Sequence, residues 1–196
     1  MTRPPLRKDA ARNWDRIVAV ARDLVDEHTP LQLNDVARRA GLGVGTVYRH
    51  FPTPEALLET VAMPCLEALA GHGEEALHDT DHWRALTTFL LHTVDAQVSD
   101  PSLAAVSAAA HDALPRTTQL KRSLRSAGTT LLGRAHEAGV VRADLTASDL
   151  VPLMCGIAYA AEVHCQTPAE RTATARRYLL ALLEGLRATP PSAPPT

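Results

Sequence analysis

DVARRAGLGVGTVYRHF, residues 35–51 of this 196-residue chain, sets two short apolar-periodic segments on either side of a glycine. The first, 34–40, turns Val36 and Ala37 inward, and Gly41 stands where a helix C-terminus calls for a left-handed residue. The second, 44–50, stops at Phe51-Pro52, because proline disfavours helix in the residue before it. Val36, Ala37, Ala40, Leu42, Val47 and Phe51 can close a small core between the two helices. Arg38, Arg39, Thr46, Tyr48, Arg49 and His50 are left to point outward. A short helix with donors along its exposed edge is what reading a DNA duplex requires, and glycines at its start permit close approach. Residues 43–46 make such a slim start, with backbone N–H groups free to meet a phosphate. By periodicity alone, an ordinary helical corner fits the same pattern.

Helical patterning continues in both directions. Upstream, Trp14, Ile17, Val18, Ala21, Leu24 and Val25 recur at helical spacing over 13–28, with Asn13 as the expected cap and Thr29-Pro30 as the stop. Downstream, Thr53-Pro54-Glu55 supplies a hydroxyl cap, a proline at the first helical position and an acid in the first turn, opening a helix over 54–77. Further helices are expected from Asp81 to about 98, from Pro101 to about 110, and from Pro115 to about 137. The last two run from Thr146 or Ser148 to about 164, and from Pro168 to about 187. No segment keeps the strict alternation of a strand, and the TPPSAPPT tail cannot pack. The expected fold is all-α with about nine helices: an N-terminal three-helix domain (9–53), a helical body (54–188) and a disordered tail (189–196).

Composition narrows the function classes. Apolar residues are 45% and aromatics 4% of the chain, enough for a sizeable core and poor for a β-sandwich. Apolar runs are too short to span a bilayer, and the polar, basic N-terminus shows no secretory signal. Cys65, Cys155 and Cys165 have no zinc-type spacing and suit reduced thiols. The net charge of −2 divides unevenly, with nine Lys/Arg against six Asp/Glu in residues 1–50 and eleven against sixteen thereafter. A basic head on an acidic body points weakly to a polyanion partner for the head. Eighteen arginines against two lysines, with abundant alanine, suggest a GC-rich genome.

Residues 9–61 resemble the N-terminal DNA-binding domain of the TetR family of bacterial repressors, with 35–51 reproducing that family's second and third helices almost without a gap. Beyond residue 62 the likeness is in length and helix count. The resemblance implies a cytoplasmic, homodimeric regulator that holds double-stranded operator DNA as a repressor and releases it when a small molecule binds. It implies no catalytic residues, metal or cofactor. Carried onto this sequence, it places Val44, Gly45 and Thr46 at the front of the recognition helix, and Tyr48, Arg49 and His50 where the family makes phosphate and base contacts, with Arg38 and Thr53 beside them. Many members carry Lys or Arg just inside the fourth helix where this chain has Pro54. That contact is missing here or replaced by Thr53 and backbone N–H groups, with Arg3, Arg7 and Lys8 as a compensating arm.

For the body, two further expectations follow from helical stripes. The dimer interface is expected on the last two helices, along Leu150, Leu153, Met154, Ile157 and Ala161 and along Tyr178, Leu179, Leu182 and Leu186, although both stripes also suit the domain's own core. An effector site is expected around Leu86, Phe89, Leu90, Thr93, Met154 and Tyr159, closed at one end by His111, with Thr93 and His92 needing polar partners if buried. Few charges on these stripes imply a mostly apolar ligand, though the same residues also suit core packing. The competing reading is a helical-bundle enzyme, or a redox or metal sensor using Cys155, His164 and Cys165. Adjacent positions on a helix diverge by about 100°, so His164 and Cys165 make poor co-ligands.

Overall fold

The computed structural model describes residues 6–187, with side chains from residue 9 onward. Among the described residues there are nine helices: α1 (Leu6–Asp26), α2 (Leu33–Ala40), α3 (Val44–His50), α4 (Pro54–Leu77), α5 (His82–Ser99), α6 (Pro101–Ala108), α7 (Pro115–Glu137), α8 (Ala147–His164) and α9 (Pro168–Leu186). Their only described β feature is an isolated bridge between Val141 and Arg187. No described helix is long and apolar enough to cross a membrane. The expected tail and Arg3 lie outside the described residues, as do the side chains of Arg7 and Lys8.

Most helix ends follow the local chemistry read from the sequence. Asp81 accepts the Arg84 N–H at 2.9 Å, Thr53 accepts that of Ala56 at 3.1 Å, and the Asp149 carboxylate takes both the N–H and the hydroxyl of Thr146. Each satisfies donors that the first turn of a helix leaves open. Thr167 and Glu170 exchange bonds in the same way to start α9. The start of α1 differs from expectation: it begins at Leu6, so Asn13 sits inside the helix rather than capping it. Its end comes at Asp26, where His28 adopts φ 55° and Thr29 N–H reaches back to Leu24 O at 2.9 Å. A left-handed histidine thus takes the role usually given to glycine, ahead of the Thr29-Pro30 stop.

The chain forms two compact units. The first comprises residues up to Cys65 together with Asp100–Thr118, and the second Leu66–Ser99 with Gln119 onward. The first unit therefore reaches past residue 53 and recruits α6. Its core joins Ile17, Ala21, Leu24 and Val25 of α1 to Leu33, Val36, Ala37, Val47, Phe51, Leu57 and Val61. Burying some ten such side chains is the dominant force fixing α2 and α3, which are too short to hold as isolated helices. Trp14 lies against Phe51, ring centroids 6.2 Å apart, on the edge of this core.

In the second unit Ala85, Leu86, Phe89, Leu90 and Val94 of α5 pack with Leu131, Leu132 and Ala135 of α7, Leu150, Met154 and Ala161 of α8, and Ala175, Leu179 and Leu183 of α9. Gly73 lets α4 come close: a Cβ there would stand 3.3 Å from the Phe89 ring and 3.4 Å from Ala127. Two cations hold the frame at helix ends and faces. Arg134 donates to Leu77 O at the C-terminus of α4, where the helix dipole favours positive charge. Arg176 of α9 makes a two-pronged pair with Asp95 of α5 at 2.8 and 2.7 Å.

Candidate nucleic-acid interface

The helix-turn-helix is built by what its inner residues bury. Val36, Ala37, Ala40 and Val47 are almost wholly inaccessible, which rotates the opposite faces of α2 and α3 outward. The turn between them is fixed by Gly41 at φ 60°, ψ 38°, with Leu42 N–H bonded to Ala37 O at 2.9 Å. Only glycine takes this left-handed conformation without strain.

On α3 the structure brings the sequence-expected residues onto one exposed edge. Val44 and Tyr48 are 46% and 47% exposed, large apolar surfaces left uncovered. Gly43, Gly45 and Arg49 are exposed, and Thr46 and His50 half-buried. Gly45 has nothing within 4 Å of where a Cβ would stand. Arg49 donates to the Thr46 hydroxyl at 3.2 Å, so the guanidinium is oriented along the helix without being neutralised. His50 leans on Phe51. Arg38 is exposed at the end of α2 but paired with Asp35 at 2.8 Å, and Arg39 is turned back to Glu27 at 2.7 Å. The Thr53 oxygen is committed as an acceptor to the start of α4, which leaves its hydroxyl proton to donate outward.

Two polar junctions fix this unit, and the sequence reading missed both. Glu59 of α4, 3% exposed, accepts the backbone N–H groups of Ala113 and Leu114 at 2.6 and 2.8 Å, one on each carboxylate oxygen. Arg22 of α1 donates to Asp100 at 2.8 Å and to Val61 O at 2.5 Å. Asp100 in turn accepts from the N–H and hydroxyl of Ser102 at the start of α6. Burial pushes the Asp100 carboxyl up, but the hydrogen bonds from Arg22 and Ser102 outweigh it and hold it below its ordinary value. Beside this pair, burial and the Asp100 charge raise the Cys65 thiol against the opposing pull of Arg22. Neither junction has a local signature, because each joins residues tens of positions apart.

The residues expected around an effector divide. Leu86, Phe89, Leu90 and Met154 are together in the core of the second unit, packed against one another. Thr93 is half-buried on α5, and its hydroxyl is already bonded to Phe89 O at 2.8 Å. His92 stacks on His72 with centroids 4.0 Å apart; burial, then the His72 charge, lowers its pKa. The Thr93 hydroxyl is therefore satisfied within its own helix, while His92 gains a packing partner in His72. Tyr159 is 70% exposed and does not join this cluster. His111 is exposed and belongs to the first unit.

The expected dimer stripes divide between buried and half-buried positions. Leu150, Met154, Ala161, Leu179 and Leu186 face their own unit's core, whereas Leu153, Ile157, Tyr178 and Leu182 are half-buried. The apolar residues left exposed are Val151, Tyr159 and Val163 of α8 and Leu180 of α9. Helical periodicity shows that a stripe exists; which of two apolar faces is covered depends on the neighbouring helices. Among the described residues, no group of three or more His, Cys, Asp or Glu is placed to hold a metal ion. His164 and Cys165 line an open depression of about 480 Å³ with Thr167, Glu170 and Arg177 at the α8–α9 turn.

A basic-edged helix-turn-helix in one compact helical unit, in a chain that also forms a second helical unit, defines a DNA-binding regulator with a two-part architecture. Residues 17–61 match the family described as bacterial regulatory proteins of the tetR family, and 82–188 match the C-terminal domain of SbtR-like transcriptional regulators. A TetR transcriptional regulator of Streptomyces coelicolor is 32% identical, with 90% of this chain and 99% of that one covered and a TM-score of 0.56. A TetR-family regulator of Thermus thermophilus shares the fold at 20% identity, with a TM-score of 0.61 over 88% of this chain and 95% of that one. Helix-turn-helix transcriptional regulators of Staphylococcus aureus are 34% identical over 76 residues, 38% of this chain. The match spans 41% of the length of those curated relatives. The chain belongs to the TetR family of bacterial transcriptional regulators, a non-enzymatic class.

Proposed function

We propose that the protein is a repressor that binds operator DNA as a homodimer, one half-site per protomer, in the bacterial cytoplasm, and leaves it when a small, mostly apolar effector binds the second unit. The observation that carries the DNA reading is the outward edge of α3. Thr46, Tyr48, Arg49 and His50 stand on one side of a helix whose other side is anchored by fully buried Val47. With Arg38 and Thr53 flanking it and Val44 and Gly45 at its front, this edge offers hydroxyl, phenol, imidazole and guanidinium donors to base edges and phosphates. A seven-residue helix makes few contacts alone, and a two-fold protein on a two-fold operator doubles them. The exposed Val151, Tyr159, Val163 and Leu180 supply the apolar surface such a dimer would cover. An effector that prefers one arrangement of the body over another must change operator affinity by the same free energy.

Gel shift on operator duplex with the wild type and Tyr48→Ala tests the assignment. The variant is expected to keep its helical spectrum and lose at least tenfold in affinity, since Tyr48 is exposed and supports no core. Unchanged affinity and footprint would remove α3 as the recognition helix. Transcript profiling of a deletion strain decides the sign, with target transcripts rising if the protein represses.

A further inference from the structure

Arg16 is exposed on α1, and one end of its guanidinium comes up against the bare Cα of Gly41: a Cβ at that glycine would stand 3.2 Å from Nη2 and 3.9 Å from Cζ. The other arginines of the first three helices with described side chains are committed to partners. Arg12 pairs with Asp9, Arg22 with Asp100, Arg38 with Asp35 and Arg39 with Glu27, while Arg49 bonds a neutral hydroxyl. Arg16 makes no ion pair or hydrogen bond with the described residues, and its neighbour Asp15 is exposed. Two guanidiniums are thus left un-neutralised in this region, one on α3 and one over the turn that leads into it.

We infer that Arg16 is a further DNA-contacting residue, binding a backbone phosphate of the duplex from above the α2–α3 turn. This rests on the reading of α3 as the recognition helix. In a helix-turn-helix the first helix crosses the sugar-phosphate backbone while the second enters the groove. Gly41, which Arg16 covers, ends that first helix and stands two residues before Gly43, the cap of α3. The carbonyl end of α2 carries partial negative charge, which holds a cation in place without using its N–H donors. All five donors then remain for a phosphate, which guanidinium can meet with two parallel hydrogen bonds. Gly41 serves this arrangement twice, by its left-handed turn and by the space a side chain would take from the guanidinium.

A charge that merely complements the α2 dipole would contribute to stability and leave the salt dependence of DNA binding alone, so that dependence separates the two roles. The full chain is titrated against an operator duplex selected from random-sequence DNA with the wild type, and against random duplex, across a range of salt. Arg16→Gln is expected to make the slope of log K against log salt shallower by about 0.9 per protomer. Affinities for operator and random duplex should fall by the same factor, with the helical spectrum unchanged. Arg16→Lys should keep the wild-type slope. A wild-type slope in Arg16→Gln overturns the assignment, as does a loss confined to the operator. Failure of the wild type to retain any duplex at low salt would bring down the DNA reading itself, and this inference with it.

Discussion

Replacing Glu59 with glutamine changes one atom's hydrogen-bonding sense in a site that has no room for the change. In the wild type each carboxylate oxygen accepts one backbone N–H, from Ala113 at 2.6 Å and from Leu114 at 2.8 Å. The glutamine amide keeps one acceptor and turns an NH₂ donor toward the other N–H. The variant therefore loses one charge-assisted bond, worth about 1.5–3 kcal/mol, and strands a donor whose desolvation costs about 1–3 kcal/mol. Because these terms overlap, the expected net loss is about 3 kcal/mol, a large part of a domain's usual stability of about 5–15 kcal/mol. In urea, with a slope of about 1–3 kcal/mol per molar, the midpoint should fall by about 1–3 M. Amide hydrogen exchange gives the local readout: protection at Ala113 or Leu114 should drop further than at α2. A loss under about 1 kcal/mol with protection at both amides intact would refute the claim that this carboxylate pins the segment before α7 to α4.

Three other outcomes follow from the same geometry. Gly41→Ala forces a side chain into φ 60° and to 3.2 Å from Arg16; it should cost about 1–2 kcal/mol in thermal or urea unfolding, and a neutral effect would mean that the turn relaxes. The Asp100 carboxyl titrates below its ordinary value when folded, so its contribution is complete above the unfolded carboxylate value. That contribution is lost as pH falls through the lower folded value, and below about pH 4 wild-type stability should drop more steeply than that of Asp100→Asn. Parallel curves would deny the Arg22–Asp100 pair a role. Val163→Glu with Leu180→Glu places charge on the exposed apolar face of α8 and α9, and should shift sedimentation from dimer to monomer at micromolar protein. A wild type that is itself monomeric would dispose of the dimer.

What the sequence determined by itself is local. Thr53 and Asp81 accept N–H groups within three residues of themselves, and Asp149 accepts that of Thr146, so the starts of α4, α5 and α8 are legible from adjacent positions. The same holds for the helix-turn-helix, whose inner and outer faces are separated by spacing within seventeen residues and whose turn needs Gly41. The family likeness was legible for the same reason, being concentrated in that short stretch. Tertiary structure alone decided everything that depends on which surface meets which. α8 carries apolar residues on two faces, and only the packing of α5 and α9 buries Met154 and leaves Tyr159 exposed. The Thr93 hydroxyl that seemed to need a ligand found its acceptor in its own helix, and His92 stacks on a histidine twenty residues earlier. The Glu59 and Arg22 junctions join positions 39 to 78 residues apart, and no periodicity records such a distance. Hydrogen bonds and caps that close within one turn are written in neighbouring residues, whereas burial is a property of two surfaces, and a chain specifies the second surface only once it has folded.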